Sequence, residues 1–522
     1  MVAAPLTLTL TLDALSSDPV YQQIAAQLRA AIESGSQGPG TRLPAIRSLA
    51  TELGVHRDTI ALAYEQLAQW GMVEARVGSG TFVRSADPVP SDAQSISERS
   101  AGGGVGVGTG EAVAETEIDF DLAPQVERLI ALENTRPRYA TGEDVVALHR
   151  LVPDPRFYPV DDFKACMDLA IKEEGPELFS YASPEGDPRL RRAMAERFQR
   201  YGVSHAAEEL VLCHGASQGI SLAMRLFAQP GDQVAVESPT YANVLTAMAG
   251  YGLSPMPVSM DEEGVSPEAL DRVLAKPEVK VFYTIPSFHN PLGTTTSLKR
   301  RKEILEIATR HGVPVIEDAF EIDLRFRGED IPPLASLDRS GIVVLLFSFS
   351  KSLFPGVRVG SLSARGRALE GLVALKHATD LSDALPLQAG LARFVETGAY
   401  DHHLAKIQGV LRERYAALET ALSEEMPEGT RWTRPDGGYQ MWVELPFEVD
   451  TRDLLADAAR EGVVFSPGAL FMPDGRPSRG MRLTVACADE AEIRRGVTAL
   501  GKVVRARHAR EAGAGRAAGL NL

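Results

Sequence analysis

Five short apolar runs in the second half of the chain constrain its fold most strongly. They cover 210–213, 233–237, 279–285, 313–317 and 342–347, and helical patterns separate each run from the next. Apolar runs of this length are typical of strands buried on both faces, and the intervening helices supply the crossovers that parallel strands require. The sequence therefore predicts an α/β domain with a mainly parallel sheet and helices on both faces.

Polar residues follow these runs, at the edge where parallel sheets bind ligands. They are the turn Gly215-Ala216-Ser217-Gln218, an aromatic, an amide, a carboxylate and an amine, namely Tyr241, Asn290, Asp318 and Lys351. Taken singly, each has an ordinary structural explanation, such as a solvated lysine, a helix cap or a turn residue. Their combination favours a binding site at the carboxyl edge of the sheet.

The residue types at this edge match the chemistry of a pyridoxal phosphate pocket. Lys351 can form a Schiff base with the aldehyde when its amine is unprotonated, and Asp318 can keep the pyridine nitrogen protonated. Asn290 can donate to the phenolic oxygen, and Tyr241 can stack on the ring. A helix that begins after Gly215 can hold the phosphate on its backbone amides. Further phosphate contacts are predicted for Ser217, Ser348 and Arg358.

The amino-terminal segment has the helix-start, helix-end and turn signals of a winged helix-turn-helix. Apolar periodicity with capping and glycine signals predicts helices over about 19–35, 44–54 and 56–71. Residues 73–76 and 81–83 predict a hairpin beside the third helix. Periodicity alone leaves open a small three-helix packing domain that does not bind DNA.

Charge is distributed unevenly along the chain. The formal net charge is −16, which would repel a polyanion if it were spread evenly. Residues 19–84 hold six Arg against five carboxylates, a formal charge of +1, so the excess acid lies downstream. The amino-terminal segment is therefore the part expected to face DNA phosphates.

Composition predicts a tether between two domains. Residues 85–117 are rich in Ser, Gly, Ala, Asp and Glu, and they cannot bury enough apolar surface to offset the entropy of ordering. A flexible segment of ~33 residues reaches ~30 Å by random-coil scaling. The Ala- and Gly-rich end, residues 506–522, is predicted to be a disordered tail.

The sequence shows no clear signal for a disulfide, a metal site, a signal peptide or a membrane span. Cys166, Cys213 and Cys487 form no close pair or metal-ligand spacing, so neither a disulfide nor a metal site is expected. The first twelve residues lack a basic flank and a long apolar run, and no later stretch is apolar enough to span a bilayer. We therefore expect a cytoplasmic, nucleoid-associated protein with no membrane partner.

Longer strings carry a family resemblance. The segment "PVYQQIAAQLRAAIESG…GTRLPAIRSLATELGVHRDTIALAYEQLAQWGMVEARVGSGTFV" closely resembles the DNA-binding domain of the GntR family. The strings "GASQGISLAMRLFAQPGDQVAVESPTY", "YTIPSFHNPLGTTTS", "VIEDAFEIDLRF" and "FSFSKSLFPGVRVG" resemble fold-type I aminotransferases. Their combination through a long linker resembles the MocR/GabR subfamily of transcription regulators.

The resemblance implies a domain plan. A winged helix-turn-helix would cover 15–84, a flexible linker 85–117, and a fold-type I pyridoxal-phosphate-dependent transferase domain 118–505. Within the last, a large part of about 160–385 would precede a smaller carboxy-terminal part of about 386–505. The implied partners are double-stranded DNA, an amino compound as effector, and a second copy in a head-to-tail homodimer.

The resemblance also implies site residues. For DNA these are Arg42, Arg47, His56, Arg57, Thr59, Gly78 and Gly80, while the role of Asp58 stays open. For pyridoxal 5′-phosphate they are Ala216, Ser217, Gln218, Tyr241, Asn290, Asp318, Phe320, Ser348, Lys351 and Arg358, with Tyr181 directed to the partner's phosphate. Arg482 matches the arginine that grips an amino acid's α-carboxylate; a surface arginine on an edge strand is the structural alternative.

Phe320 departs from the aminotransferase pattern, which has tyrosine two residues after the aspartate. Phenylalanine cannot donate a hydrogen bond to the phenolic oxygen, so we expect cofactor binding with impaired transamination. The favoured function is a regulator that senses an amino compound, or pyridoxal phosphate itself. The alternatives are an active aminotransferase that interconverts an amino acid and a 2-oxo acid, and a scaffold that has lost its cofactor.

Overall fold

The computed structural model describes residues 20–33, 41–53, 55, 57–69, 72–76, 80–83, 121–137, 139–142 and 144–519, and for some of these the backbone alone. The chain divides into two compact units, residues 1–121 and 122–522. The predicted linker, 85–117, lies outside the described residues. No helix among the described residues is long and apolar enough to cross a membrane.

The described residues of the amino-terminal unit form three helices followed by a hairpin, as the sequence predicts. Its elements are α1 (Val20–Glu33), α2 (Ile46–Leu53), α3 (Arg57–Gln69), β1 (Val73–Arg76) and β2 (Gly80–Val83). Apolar positions at helical spacing, such as Ile24, Leu28, Ile60 and Leu67, form its core. The hairpin is antiparallel and pairs Val73 with Val83 at its open end.

The second unit is built from alternating helices and strands. Up to the end of its large sheet the elements are α4 (Pro124–Thr135), β3 (Val146–Ala147), α5 (Val160–Glu174), α6 (Pro188–Gln199), β4 (Leu210–Cys213), α7 (Gly215–Phe227), β5 (Gln233–Ser238), α8 (Ala242–Gly250), β6 (Ser254–Asp261), β7 (Gly264–Val265), α9 (Pro267–Leu274), β8 (Val279–Thr284), α10 (Leu298–His311), β9 (Val315–Asp318), α11 (Leu334–Leu337), β10 (Val343–Ser348) and β11 (Gly360–Ser363). The remaining elements are α12 (Gly366–Asp380), α13 (Leu385–Glu396), α14 (Ala399–Glu425), β12 (Arg431–Trp432), β13 (Gln440–Glu444), α15 (Leu455–Arg460), β14 (Val463–Val464), β15 (Ser466–Pro467), β16 (Gly480–Thr484) and α16 (Glu490–Gly519).

The large sheet has the strand order β4-β11-β10-β9-β8-β5-β6-β7. Strands β10, β9, β8, β5 and β6 are parallel, whereas β11 runs antiparallel between β10 and β4. All five predicted runs are strands of this sheet, so the predicted fold class is confirmed. The sequence did not predict β6 or the reversed strand β11.

Both faces of the large sheet are covered by apolar side chains. Along β4, Leu210 and Leu212 belong to one hydrophobic core and Val211 and Cys213 to the other. Successive strand residues point to opposite faces, so a fully apolar strand must be buried on both sides. Because of this double burial, most polar groups that can form a site follow the ends of the strands.

A smaller antiparallel sheet follows, with the strand order β12-β13-β16-β15. α13 packs against α5 and α6. The boundary at about residue 386 between a large and a small part stays a prediction. The last helix, α16, continues to Gly519 and contains most of the segment predicted to be a disordered tail. Arginine and alanine have high helix propensity, which explains why this Ala- and Arg-containing segment continues α16.

Candidate functional site

A small cavity of about 110 Å³ lies at the carboxyl edge of the large sheet. Most of the residues predicted to bind the cofactor line it, namely Ala216, Ser217, Tyr241, Asn290, Asp318, Phe320, Ser348, Lys351 and Arg358. Leu151, Ser350 and Pro355 complete the lining. The ends of parallel strands thus bring together residues that are far apart in the sequence.

Lys351 lies just beyond the end of β10. Its Nζ donates to the carbonyl oxygen of Leu151. The pKa of its ammonium group is lowered, chiefly because burial disfavours the charged form, and nearby Arg482 lowers it further, against the opposing effect of Glu321. More of the lysine is therefore a free amine at neutral pH, which is the form that attacks an aldehyde.

Asp318 is the last residue of β9, and only one of its two carboxyl oxygens is hydrogen-bonded. Its Oδ2 accepts from the Tyr283 hydroxyl at 2.6 Å, while Oδ1 has no hydrogen-bond partner among the described residues. The carboxyl is 2% exposed, and this burial raises its pKa to about 7. A pyridinium N–H would supply both the missing donor and a compensating charge, so the site fits a pyridine ring.

The start of α7 and Arg358 form another part of the cavity wall, called here the phosphate end. Arg358 Nη2 donates to the carbonyl oxygen of His214, the residue before α7, at 2.8 Å. Gly215 has a φ of 73°, and a Cβ there would lie 2.9 Å from Arg358 Nη1. Glycine therefore permits this close approach. A helix amino terminus beside a guanidinium is suited to a phosphate group.

Asn290 connects the small cavity to Arg482. Its Oδ1 accepts from Arg482 Nη1 at 3.0 Å. Because the amide oxygen is engaged in this way, the amide nitrogen is the atom that can donate to a phenolic oxygen. Phe320 lines the same cavity and is 7% exposed, so the position that lacks a hydroxyl faces the ring site.

Arg482 is a buried cation on β16 rather than the surface arginine of the alternative interpretation. Besides Asn290, it donates from Nη2 to the His149 carbonyl and to Ser466 Oγ, and its guanidinium carbon lies 4.9 Å from the centre of the Phe471 ring. Among the described residues, Nε has no hydrogen-bond partner and the guanidinium makes no ion pair with a carboxylate. Burial lowers its pKa to about 10. A ligand carboxylate would compensate this isolated charge.

Two predicted cofactor residues lie away from the cavity. Gln218 accepts from the His214 backbone N–H at 2.8 Å and donates to Asp380 at 2.7 Å. These bonds tie the first turn of α7 to the end of α12, so Gln218 supports the phosphate end without lining it. Tyr181 is 81% exposed and does not reach the cavity of its own chain.

Tyr283 and Glu321 belong to the site although the sequence did not single them out. Tyr283 lies inside β8, where an aromatic residue in an apolar run is expected to be a core residue. Its hydroxyl nevertheless donates a hydrogen bond to Asp318. Glu321 is 1% exposed and accepts from Gln440 at 2.8 Å, and burial raises its pKa. A carboxylate three residues after Asp318 was the available signal for Glu321.

A group of metal-ligand type lies beside the phosphate end. His214, Asp380 and Asp383 bring their polar atoms together, but Lys376 Nζ lies 3.0 Å from Asp380 and 2.7 Å from Asp383. Lys376 is fully buried, and its ammonium already forms ion pairs with both carboxylates. The arrangement is explained as a buried ion-pair network.

The predicted DNA contacts are described only in part. Arg42 and Arg57 are exposed, and Arg57 is the first residue of α3; Thr59 is partly exposed on the same helix. Gly80 begins β2. His56 and Gly78 lie outside the described residues, and for Arg47 the structure describes only a backbone position in α2.

Comparison with known families agrees with both units. Residues 157–500 match the model of aminotransferase class I and II. The chain belongs to the aminotransferase class I and II family. Residues 20–83 match bacterial regulatory proteins of the gntR family. The resemblance predicted from the sequence is confirmed, and pyridoxal 5′-phosphate is the cofactor of the second unit.

Individual relatives fall into two groups. The probable rhizopine catabolism regulatory protein MocR of Rhizobium meliloti is 28% identical over 94% of this chain and 95% of its own length. Aromatic-amino-acid aminotransferase 1 of Thermococcus litoralis is 32% identical over 73% of this chain and 92% of its own length. The solved kynurenine aminotransferase of Pyrococcus horikoshii, in complex with PMP, has a TM-score of 0.67 at 30% identity and covers 76% of this chain and 97% of its own.

Proposed function

We propose that this protein is a transcription regulator whose second unit senses an amino compound through its pyridoxal phosphate pocket. The observation that carries the proposal is the position of Lys351 and Arg482 on one cleft, in a chain that also has a gntR-type DNA-binding domain. The relative MocR, named as a probable regulatory protein, aligns along nearly the whole chain and supports the same function. DNA binding would bring the protein to the nucleoid.

Bound pyridoxal phosphate supplies an aldehyde that bonds reversibly to a primary amine. Lys351 would hold the cofactor through its primary amine, and it would be released when an effector amine binds in its place. Arg482 selects amines that carry a carboxylate. Release of Lys351 gives the two ligand states different contacts, which any ligand-driven switch requires.

Phe320 supports sensing over turnover. A tyrosine hydroxyl at this position would donate to the phenolic oxygen and adjust its acidity, and phenylalanine has no such group. Lys351, Asp318 and Arg482 are nevertheless all present, so an active aminotransferase is the second candidate. Multiple turnover of an amino acid and a 2-oxo acid at about 10 per second, an ordinary enzyme rate, would favour it.

A homodimer is supported by exposed apolar side chains on two adjoining segments. Phe179 is 69% exposed, Tyr181 81% and Leu381 53%. The backbone N–H of Ala182 donates to Ser382 Oγ at 2.7 Å, which holds the segments together. We infer that a second copy covers this surface head-to-tail and that Tyr181 contributes to the partner's phosphate site.

The proposal is tested by identifying the DNA that the purified protein protects and then repeating the protection assay with pyridoxal phosphate and a panel of amino acids. We expect a footprint that one or more amino acids change in the cofactor-loaded protein. No specific footprint, or a footprint that no amino acid or cofactor alters, would overturn the proposal.

A further inference from the structure

A chain of hydrogen bonds between buried polar side chains ends beside Lys351. The Tyr400 hydroxyl is hydrogen-bonded to Asp323 Oδ2 and to Ser352 Oγ, both at 2.6 Å. Ser352 is the residue after Lys351 in the turn that follows β10. Tyr400 is fully buried, and Ser352 and Asp323 are almost completely buried. The chain of hydrogen bonds therefore meets the turn one residue away from the lysine.

Arg197 anchors the other end of these hydrogen bonds. Its Nη2 donates to Asp323 Oδ1 and its Nη1 to Asp401 Oδ1, both at 2.7 Å. Its guanidinium carbon also lies 4.5 Å from the centre of the Tyr400 ring, within the range of a cation–π contact. Arg197 belongs to α6 and Tyr400 to α14, so two helices are joined to the turn. We call the four side chains of Arg197, Asp323, Tyr400 and Ser352 the Ser352 network.

The Ser352 network differs from the residues that face the cofactor. In the described part of the chain, none of its polar side-chain atoms is buried without a hydrogen-bond partner, whereas Asp318 Oδ1 and Arg482 Nε are. None of the four side chains lines the cofactor cavity. A buried network whose members are all hydrogen-bonded is rigid and needs no ligand to complete it. Its effect on the site therefore passes through the turn that contains Ser352.

The position of the Lys351 amine depends on this turn. The carbonyl oxygen of Lys351 accepts from the Tyr439 hydroxyl at 3.0 Å, which holds the backbone from a second side. The side chain itself has one described hydrogen bond, a donation from Nζ to the carbonyl oxygen of Leu151. A long lysine side chain has many rotamers, so a fixed backbone limits where its amine can lie. Ser352 is the point at which the rigid network fixes that backbone.

We propose that the Ser352 network positions Lys351 for its bond to the cofactor, with Tyr400 and Ser352 as the positioning residues. This inference rests on the proposed role of Lys351 in holding the cofactor. In that role the amine nitrogen would bond the aldehyde carbon of bound pyridoxal phosphate, and the aldehyde oxygen would leave with both amine protons as water. For a cofactor already in the pocket this step is intramolecular, so its equilibrium depends on how much freedom the amine loses.

A fixed turn holds the amine near the cavity before the cofactor arrives. The network therefore strengthens the part of the cofactor affinity that comes from Lys351, and it leaves the affinity of the pocket for the ring and phosphate unchanged. An effector amine has to compete with Lys351, so the same network sets the effector concentration at which the proposed sensor responds.

The test compares pyridoxal 5′-phosphate with pyridoxamine 5′-phosphate, which has an amine in place of the aldehyde and cannot bond Lys351. Calorimetric titration of the cofactor-free full chain gives both dissociation constants, and the ratio of the pyridoxamine value to the pyridoxal value reports the contribution of Lys351. Tyr400→Phe and Ser352→Ala each remove the hydrogen bond between the network and the turn. Tyr201→Phe is the matched control, since the Tyr201 hydroxyl also donates to Asp323 but has no described hydrogen bond to Ser352. Lys351→Ala gives the ratio without the lysine.

Wild type and Tyr201→Phe should give the same ratio, well above that of Lys351→Ala. Tyr400→Phe and Ser352→Ala should each lower the ratio about 5-fold, the change expected for loss of one buried hydrogen bond, while the affinity for pyridoxamine phosphate stays the same. An unchanged ratio in both variants, or an equal loss of affinity for the two ligands, would overturn the inference and leave the role of Lys351 standing. A wild-type ratio equal to that of Lys351→Ala would overturn both.

Discussion

The two units of this chain use charge in opposite ways. In the amino-terminal unit the predicted DNA contacts Arg42 and Arg57 are exposed to solvent. In the second unit Asp318, Glu321 and Arg482 are almost completely buried, and each has a polar atom without a hydrogen-bond partner among the described residues. Buried charges of this kind gain most from a ligand that completes them, whereas exposed cations each add a modest, salt-sensitive increment. Single substitutions should therefore have larger effects in the second unit.

The largest effect is expected for Lys351→Ala. Only a primary amine at this position can bond the aldehyde, so covalent attachment of the cofactor should be lost completely. The fold should remain, because the described side-chain bond of Lys351 is a single donation to Leu151. Borohydride reduction followed by peptide mapping checks this prediction. Label on another lysine, in wild type or in the variant, would refute the assignment.

Arg482→Ala should have the next largest effect. The variant should still load cofactor but lose the absorbance change caused by amino acids, because loss of a buried charged contact costs about 2–5 kcal/mol of binding free energy. Arg479→Ala is the control, since Arg479 is exposed and pairs with Glu444 and Glu448. If titration of Arg482→Ala with amino acids gives an unchanged absorbance response, Arg482 has only a structural role.

Substitution of one exposed arginine should have a smaller effect. Arg57→Ala is expected to weaken specific DNA binding by about 1–3 kcal/mol if its guanidinium reaches a base edge. Arg29→Ala removes an exposed arginine from α1 and serves as the comparison. Dissociation constants should be measured at several salt concentrations. Equal affinities for wild type and Arg57→Ala at every salt concentration would exclude Arg57 from the interface.

The smallest effect is expected for Phe320→Tyr. The added hydroxyl would face the cofactor cavity and restore one hydrogen bond, which corresponds to about a 10-fold gain in any slow transamination. Steady-state assay with an amino acid and a 2-oxo acid measures the change. A wild-type rate that already equals that of Phe320→Tyr would mean that the missing hydroxyl does not limit turnover.

Much of the architecture could be predicted because it is encoded locally. The runs that became β4, β5, β8, β9 and β10 are mostly apolar, and polar residues follow each of them. Strand β11 was missed because Gly360–Ser363 has no apolar run and is stabilised by pairing with β10 and with the distant strand β4. Strand pairing of this kind depends on contacts that no local pattern contains.

Within the site, too, local features could be predicted and contacts between distant residues could not. The roles proposed for Lys351 and Asp318 come from residue type and position, and both side chains line the cofactor cavity. The bond from Tyr283 to Asp318, the bond from Arg482 to Asn290 and the diversion of Gln218 to Asp380 join residues far apart in the sequence. Side-chain pairing across strands and helices had to be observed in the structure, because each of these side chains has several plausible local partners.

The link between the two units is tested most directly by the affinity for the protected DNA, measured with and without an amino acid that shifts the cofactor absorbance. In the wild-type protein this amino acid should change the dissociation constant for DNA, and in Lys351→Ala the change should be absent. A DNA response that persists in Lys351→Ala, or wild-type DNA binding that ignores the amino acid while the absorbance shifts, would contradict regulation through this pocket.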